Sequence, residues 1–240
     1  PDGHTLMLAN TGVMVINPAL YSKLPYGTLR DFVPVARTAM QPLALLVNPQ
    51  LPVTGLKEFI EYTRTRPGQI NYGSAGNGGI SHLVPEMFKT ASGLFMVHIP
   101  YRGSAPAFTD LMAGQVQAIL ISVTLAAPQV KAGKVKALAV TAEKRAPMLP
   151  QTATFVEAGI NNFAPHTWSA LFLPANTPED IVGKVFEQYA RVVRQPEVES
   201  RLRDLGAEVV MSSRAGFTAL LRAEYERLGK LIQERRISAE

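Results

Sequence analysis

The sequence of 240 residues contains no cysteine, one tryptophan and four histidines. The absence of cysteine excludes disulfides, thiolate metal sites and thiol chemistry, and it is compatible with an oxidising compartment. The histidines (His4, His82, His98 and His166) are scattered, with no pair at metal-ligand spacing. We therefore expect no metal and no cofactor.

The sequence also lacks any apolar run that approaches the length of a membrane span, so we do not expect a membrane-embedded protein. Its formal net charge is +5, but the basic residues alternate with acids, as in "RLRDLGAE" and "RAEYERLGKLIQERR". That alternation is typical of solvated helix faces and not of a nucleic-acid-binding stripe. We expect no nucleic acid partner, although a mildly positive field favours anionic ligands.

Strand-like runs alternate with helical patterns along most of the chain, which predicts an α/β fold with a parallel or mixed sheet covered by helices. The predicted strands are "HTLMLAN", "PLALLVNP", "FMVHIPYRG", "QVQAILIS", "VKALAVTA", the long extended segment "PHTWSALFLPANTP", and "AEVVM".

The predicted helices begin at recognisable capping residues. Thr54, Ser104 and Thr177 each precede a helical pattern and are predicted as N-caps, and Gly114 is predicted to end the second of these helices. Residues 196–205 predict a further helix. The face predicted to be buried on the last helix consists of Phe217, Leu220, Leu221, Tyr225, Leu228 and Leu231.

The stretch "INYGSAGNGGISH" places four glycines between a short apolar run and a helical pattern. It lacks the lysine of a phosphate-binding P-loop, and the dinucleotide fingerprint fails because Ser81 stands where glycine or alanine is needed. Two interpretations remain. Free backbone N–H groups at this strand-to-helix corner bind an anion, or the glycines serve only a tight turn.

Two further corners favour the anion site. "PYRGSAPA" places Tyr101, Arg102, Gly103 and Ser104 between a strand and a helix, and Asn10 and Thr11 occupy a similar position near the start of the chain. Arg102 either pairs with a ligand carboxylate or forms a surface ion pair. Three small polar loops after three strands predict one shared site at the sheet edge.

Catalytic chemistry finds little support in the sequence. The Gly-x-Ser-x-Gly elbow of serine hydrolases is absent, and Glu86 and Asp110 are single acids on helices that we interpret as solvated. His82 either bonds a ligand or is a local hydrogen-bond partner. Trp168 is interpreted as core or hinge packing, with lining of a cleft as the alternative.

Seven segments together resemble the substrate-binding receptors of tripartite tricarboxylate transporters, the Bug-type extracytoplasmic receptors. They are "PDGHTLMLANTG", "NPALYSKLPYGTLRDFVPVA", "NYGSAGNGGISHL", "HIPYRGSAPAFTDLMAGQVQ", "KAGKVKALAVTAEKRAPMLP", "TFVEAGI" and "LFLPANTP". The resemblance covers essentially the whole chain in order. Each segment alone is weak evidence, whereas the set is specific.

The resemblance implies a two-lobed, periplasmic-binding-protein-like clamshell of type II, each lobe a mixed sheet flanked by helices. We expect lobe 1 to comprise residues 1–39 and 168–240, and lobe 2 residues 40–167, with hinges near Ala36–Leu46 and Trp168–Pro174. The implied function is a solute-binding receptor, not an enzyme. It holds a small carboxylate between the lobes and delivers it to membrane transporter subunits or a sensor kinase.

The chain departs from the family at two places. Family members begin with a strand, a ligand loop and a helix ahead of the "PDG" turn, so we expect the site to be incomplete without that segment, and a periplasmic location with the signal peptide outside this chain. The family also often carries an aspartate shortly after "GQVQ", where this chain has Ser122. The loss of that acid favours a plain carboxylate over a ligand with a free α-amine.

The resemblance implies ligand contacts from four segments. They are Asn10 and Thr11; Ser74, Ala75, Gly76 and Asn77; Tyr101, Arg102, Gly103 and Ser104; and Ser122. Two other functions remain open at this point: the effector-binding domain of a transcriptional regulator, and an enzyme on the same fold.

Overall fold

The computed structural model describes residues 1–161, 163, 165–204 and 206–238. Its elements in chain order are β1 (Met7–Asn10), a π-helical segment (Gly12–Ile16), α1 (Asn17–Leu20), α2 (Thr28–Asp31), β2 (Phe32–Val47), α3 (Leu56–Arg64), β3 (Asn71–Ser74), α4 (Ile80–Ser92), β4 (Val97–Pro100), α5 (Ser104–Ala113), β5 (Ala118–Ser122), α6 (Val123–Lys131), β6 (Lys136–Val140), β7 (His166–Pro174), α7 (Glu179–Val193), α8 (Pro196–Asp204) and α9 (Arg214–Glu234). The predicted α/β class is confirmed.

The chain divides into two compact units. Unit 1 comprises Pro1–Gln41 and Thr167–Glu240, and unit 2 comprises Pro42–His166. The chain leaves unit 1 within β2 and returns to it at the start of β7. The interpretation of the units as lobes that close on a ligand stays a prediction. In the described parts of both units, no helix combines the length and the apolar character that crossing a bilayer requires.

Unit 2 is built on a mixed sheet. β3 lies between β4 and β5 and runs parallel to both, while β2 is antiparallel to β5 and to β6. Alternate residues of a strand point to opposite faces, and the sequence of β5 uses both. Leu120 packs into one core and Ile119 and Ile121 into the other. The strand sequences are therefore apolar on both faces, as expected for a sheet covered by helices on each side.

The core of unit 1 contains an aromatic cluster of Trp168, Phe172 and Phe217. Trp168 is 1% exposed, and its ring meets that of Phe217 edge-to-face at 5.4 Å. Both of its N–H groups are paired. The indole N–H donates to Glu224 Oε2 at 2.6 Å, and the backbone N–H donates to Thr11 Oγ1 at 3.0 Å. The interpretation of Trp168 as core packing is confirmed.

Two predicted features of unit 1 are wrong. "AEVVM" does not form a strand, because only Glu208 pairs, in an isolated antiparallel bridge with Met40. The buried face of α9 also differs. Of the six predicted residues, Phe217, Leu221 and Leu228 are buried, whereas Leu220, Tyr225 and Leu231 are half-buried, and Glu224 and Ile232 complete the buried face. The last residue of the predicted helix 196–205 lies outside the described residues, and α8 ends at Asp204.

Three predicted N-caps are wrong by one residue. The N-caps of α3, α5 and α7 are Gly55, Gly103 and Pro178, and none of them makes a side-chain capping bond. The polar side chains predicted as caps do other things. Thr54 donates from its hydroxyl and backbone N–H to Glu58 Oε2, whereas Thr177 donates to a carbonyl before the helix. The predicted C-terminal glycine of α5, Gly114, is confirmed in the left-handed conformation at φ 80°.

The pair formed by Trp168 and Glu224 leads to a first prediction. Replacing Glu224 by alanine leaves the indole N–H buried without an acceptor, which costs about 1–3 kcal/mol of unfolding free energy. Glu224→Gln keeps an acceptor oxygen and should lose less. Urea denaturation followed by the fluorescence of Trp168, the only tryptophan, measures both. Glu226→Ala, at an exposed position of the same helix, is the matched control. Equal losses in the two alanine variants would contradict the role of the bond.

Candidate functional site

Three strand-to-helix corners meet at one edge of the sheet in unit 2. β4, β3 and β5 are adjacent and parallel, so their carboxyl ends lie at the same edge. α4, α5 and α6 begin shortly after these strands. Nine of the eleven predicted ligand contacts lie in these corners, at 74–77, 101–104 and 122. The other two, Asn10 and Thr11, lie in unit 1.

The helices leave this edge toward opposite faces. α4 contributes Val84 and Phe88 to one core, whereas α5 contributes Leu111 and α6 contributes Ala126 to the other. The chain therefore turns to one face of the sheet after β3, and to the opposite face after β4 and after β5. Such a switch opens a crevice at the carboxyl edge of an open α/β sheet, which is where these folds bind ligands.

Backbone hydrogen bonds join the first two corners. Tyr101 N–H donates to Ser74 O at 3.0 Å, and Gly103 N–H donates to Ala75 O at 3.1 Å. Gly76 and Gly103 have φ values of 140° and 108°, which side-chain-bearing residues rarely adopt. Both glycines are needed for their backbone conformation. The tight-turn interpretation therefore explains part of the glycine content of the loop, at Gly76.

Several amides of the glycine loop are already paired within the protein. Ala75 N–H donates to Ser81 Oγ at 2.9 Å, Gly76 N–H to Ser74 Oγ at 3.2 Å, and Gly78 N–H to His82 Nδ1 at 3.1 Å. The N–H groups of Ile80 and Ser81, the first two positions of α4, have no intrahelical acceptor because of the geometry of a helix start. The first two amides of α4 therefore remain for a ligand, whereas those of Ala75, Gly76 and Gly78 are used within the protein.

The predicted contact residues differ in how accessible their side chains are. Asn77 and Arg102 are exposed, Ser122 is half-buried, and Ser74 is only 1% exposed. No described residue accepts a hydrogen bond from the Arg102 guanidinium or forms an ion pair with it. Arg102 therefore does not form the surface ion pair that was its alternative interpretation.

In the second corner, Tyr101 is tied to an acid that was interpreted as solvated. Its hydroxyl donates to Asp110 Oδ2 at 2.7 Å. Burial and this hydrogen bond raise the pKa of Tyr101 to about 12, so the phenol keeps its proton at neutral pH. Asp110 is a half-buried residue of α5 and positions the Tyr101 ring at the sheet edge.

A polar network that sequence reasoning missed lies under the glycine loop. The rings of His82 and His98 stack with centroids 3.7 Å apart and planes within 13°, and the ring of Tyr72 stacks on His98 at 5.0 Å. Tyr72 OH donates to Glu86 Oε1 at 2.6 Å, and Lys89 Nζ lies 2.6 Å from the same oxygen. Glu86 is 5% exposed, so its interpretation as a solvated acid is wrong.

The spacing on α4 is the signal that could have revealed part of this network. His82, Glu86 and Lys89 follow one another at four and three residues, which places them on one face of the helix. His98 could not have been added from spacing, because it reaches the cluster through the parallel register that pairs it with Tyr72. The histidines are scattered in the sequence, but the fold brings His82 and His98 together.

The network contains a serine and a histidine at a distance typical of nucleophile and base. Ser74 Oγ lies 2.6 Å from His98 Nε2. Ser74 is almost completely buried, however, and its hydroxyl oxygen also contacts both the N–H and the carbonyl of Gly76. The pair therefore supports the loop, since a substrate carbonyl cannot approach this oxygen. Among the described residues, no cluster of histidine and acidic side chains is suited to hold a metal ion.

The sequence profile of the tripartite tricarboxylate transporter family receptor matches residues 1–237. The chain belongs to this family. BugD, solved as a periplasmic binding protein, shares 30% identity with a TM-score of 0.78, and the alignment covers 100% of this chain and 81% of BugD. The predicted membership among Bug-type receptors is thus confirmed.

Two further family members have been solved with ligands. Rpa4515 of R. palustris, solved with adipate, is 32% identical with a TM-score of 0.82 over 99% of this chain and 79% of its own. MatC of Rhodopseudomonas palustris, solved with bound malate, is 33% identical with a TM-score of 0.76 over 97% and 80%. The family is one of solute-binding receptors, which confirms the fold and the general function that the sequence predicts.

Burial of the stacked histidines gives a pH prediction. Burial lowers the pKa of His98 from 6.5 to about 4, and the repulsion that two protonated rings in the His82–His98 stack would experience lowers it further. Because the unfolded chain takes up this proton near pH 6.5 and the native protein only near pH 4, stability should fall as the pH drops through that window. Above pH 6.5 the effect is absent.

Urea denaturation between pH 7.5 and 4 measures this linkage. The slope of unfolding free energy against pH should be smaller for His98→Gln, whose amide can still bond Ser74 and does not titrate. His4→Gln, at an exposed histidine, should run parallel to the wild type. A His98→Gln curve parallel to the wild type would show that His98 is not the group responsible.

Proposed function

We propose that this chain is an extracytoplasmic receptor that captures a small carboxylate at the carboxyl edge of β4, β3 and β5 in unit 2. The observation that supports this most directly is the start of α4, α5 and α6 at that one edge. The first N–H groups of a helix have no intrahelical acceptor and its dipole is positive there, so three such starts favour negative oxygen atoms. At α6 one of these groups, Leu125 N–H, is capped by Ser122 Oγ.

The side chains at this edge suit the same ligand. Arg102 is exposed and can offer two parallel N–H donors to one carboxylate. The hydroxyls of Ser104 and Ser122 and the amide of Asn77 add neutral hydrogen-bonding groups. Asn10 and Thr11 belong to unit 1, and their role as ligand contacts stays a prediction.

The energetics are adequate for a receptor. Hydrogen bonds to a charged group contribute roughly 1.5–3 kcal/mol each. Four or five such bonds, less the cost of ordering the ligand, reach about the 8 kcal/mol that corresponds to micromolar binding. No covalent chemistry is required, because the ligand only has to stabilise the bound state.

The relatives narrow the choice of ligand. Adipate and malate are both dicarboxylates, and each was found with a family member that shares about a third of its residues with this chain. The neutral Ser122 stands where an acid that could bind a ligand amine is common in the family. A ligand without an amine is therefore the better candidate.

We further infer delivery of the ligand to the membrane subunits of a tripartite tricarboxylate transporter or to a sensor kinase, from the periplasm. The family description and the periplasmic binding protein among the relatives support this assignment. The burial of Ser74 supports a receptor in preference to an enzyme, because this serine, although it contacts His98, cannot reach a substrate.

Arg102 supplies the test of this function. In calorimetric titrations with adipate and malate, at least one should bind the wild type, and Arg102→Gln should weaken its binding about 10- to 100-fold through loss of a charged hydrogen bond. Arg64→Gln, an exposed arginine of the same unit on α3, should bind as the wild type does. If neither dicarboxylate binds, the proposed ligand class is wrong. If both variants bind equally well, the ligand does not contact Arg102.

A further inference from the structure

The first turn of α4 holds the glycine loop through two side chains. Ser81 Oγ accepts from Ala75 N–H, and His82 Nδ1 accepts from Gly78 N–H at 3.1 Å. His82 is 7% exposed and Gly78 is also buried. A buried N–H needs an acceptor, so the position of Gly78 depends on the ring nitrogen of His82.

The direction of this hydrogen bond fixes the protonation state of the ring. A neutral imidazole has one acceptor nitrogen and one N–H donor, whereas an imidazolium has two donors and no acceptor. Since Nδ1 accepts from Gly78, His82 must be neutral with its proton on Nε2. Proton uptake would place an N–H against the N–H of Gly78 and break the contact.

The groups around the ring disfavour the charged form. His98 stacks on it from β4, and beyond His98 lies the phenol of Tyr72 from β3. The charged groups that face the pair come from α4. Glu86 would attract an imidazolium, but its carboxylate is already paired with Lys89 and Tyr72, and Lys89 repels a second positive charge. Burial, the largest cause, lowers the pKa of His82.

We propose that His82 is a positioning residue for carboxylate capture. Its neutral ring fixes Gly78, and through Gly78 it fixes the unpaired amides with which α4 begins. Uptake of a proton by His82 releases the loop and weakens ligand binding. Only the effect on ligand binding rests on the proposed function. The protonation state of the His82 ring and its hydrogen bond to Gly78 can be measured without ligand.

Two substitutions of His82 separate its hydrogen bond from its packing. His82→Phe keeps a flat ring against His98 and lacks the acceptor. His82→Asn loses the ring and keeps an acceptor oxygen close to the position of Nδ1. His4→Asn, at an exposed histidine, is the matched control. A purely structural role for the ring predicts that the asparagine variant is the worse of the two, whereas the positioning role predicts the reverse.

The ligand-free arm uses NMR of the ¹⁵N-labelled chain. At pH 7.5 the ring nitrogens of His82 should show Nε2 protonated and Nδ1 bare, and the Gly78 amide should be protected from hydrogen exchange. His82→Phe should speed that exchange at least about tenfold, as expected for loss of one buried hydrogen bond, while His82→Asn stays near the wild type. A proton on Nδ1, or Gly78 exchange unchanged in His82→Phe, would overturn the proposal.

The ligand arm measures adipate and malate affinity between pH 7.5 and 5. Wild-type affinity should fall with pH beyond what ionisation of the acid itself causes. His82→Phe should bind about tenfold more weakly at pH 7.5, and His82→Asn should bind nearly as well as the wild type with the extra pH dependence removed. Weaker binding by His82→Asn than by His82→Phe would overturn the positioning role. Should the wild type bind neither acid, the proposed ligand class fails, and the NMR arm alone decides the role of His82.

Discussion

Every backbone N–H at the start of a helix needs an acceptor, and the geometry of the helix supplies none for the first of them. In unit 2 this constraint applies three times along one sheet edge, because β4, β3 and β5 are parallel and each leads into a helix. The fold resolves it unevenly. Ser122 Oγ accepts from Leu125 N–H in the first turn of α6, whereas the N-caps of α4 and α5 make no side-chain capping bond. In the loop before α4, side chains pair the amides of Ala75, Gly76 and Gly78.

These hydrogen bonds favour a single conformation of the loop, independently of any ligand. Ser74, Ser81 and His82 each fix one loop amide, and backbone bonds to Tyr101 and Gly103 join the loop to the next corner. A site that is ordered in advance does not lose conformational entropy when the ligand binds, so more of the interaction energy appears as affinity. The glycines thus have a conformational role, and it is the helix starts that favour the anion.

The polar network beneath the loop serves to favour one arrangement of the fold more than to raise the free energy of unfolding. Glu86 and Lys89 are 7% and 12% exposed in their side chains, and a buried ion pair seldom stabilises more than a well-packed apolar pair would. Its members do, however, connect β3, β4 and α4 through Tyr72, His98 and Glu86. Breaking any one of them leaves a buried polar group unpaired. The network therefore favours a single placement of α4 against the sheet, on which the loop geometry depends.

From the sequence, two of the three predicted corners, 74–77 and 101–104, are correctly placed at one sheet edge, whereas the third, at Asn10 and Thr11, lies in unit 1. The side-chain network beneath these corners was not predicted. Glycine and small polar residues after apolar runs mark strand ends reliably, because few other residues suit those backbone conformations. The N-caps predicted at Thr54 and Ser104 are each wrong by one residue. Sequence alone does not distinguish a polar residue at the N-cap from one that lies just before it or at the first helical position. The His82–His98 stack and the Trp168–Glu224 bond could not be predicted, since each joins residues that only tertiary register brings together.

The balance of charges at the edge fits a receptor that must release what it binds. In the proposed site we expect most of the attraction to come from oriented amides at the starts of α4, α5 and α6, and Arg102 is the formal cation among the predicted contacts. Oriented dipoles act over the first turn only, so they hold an anion that is seated and attract it little once it leaves. A cluster of several lysines would instead raise affinity and slow release. One exposed arginine beside three helix starts is therefore consistent with the proposed receptor role, in which the carboxylate is bound and later transferred to a partner.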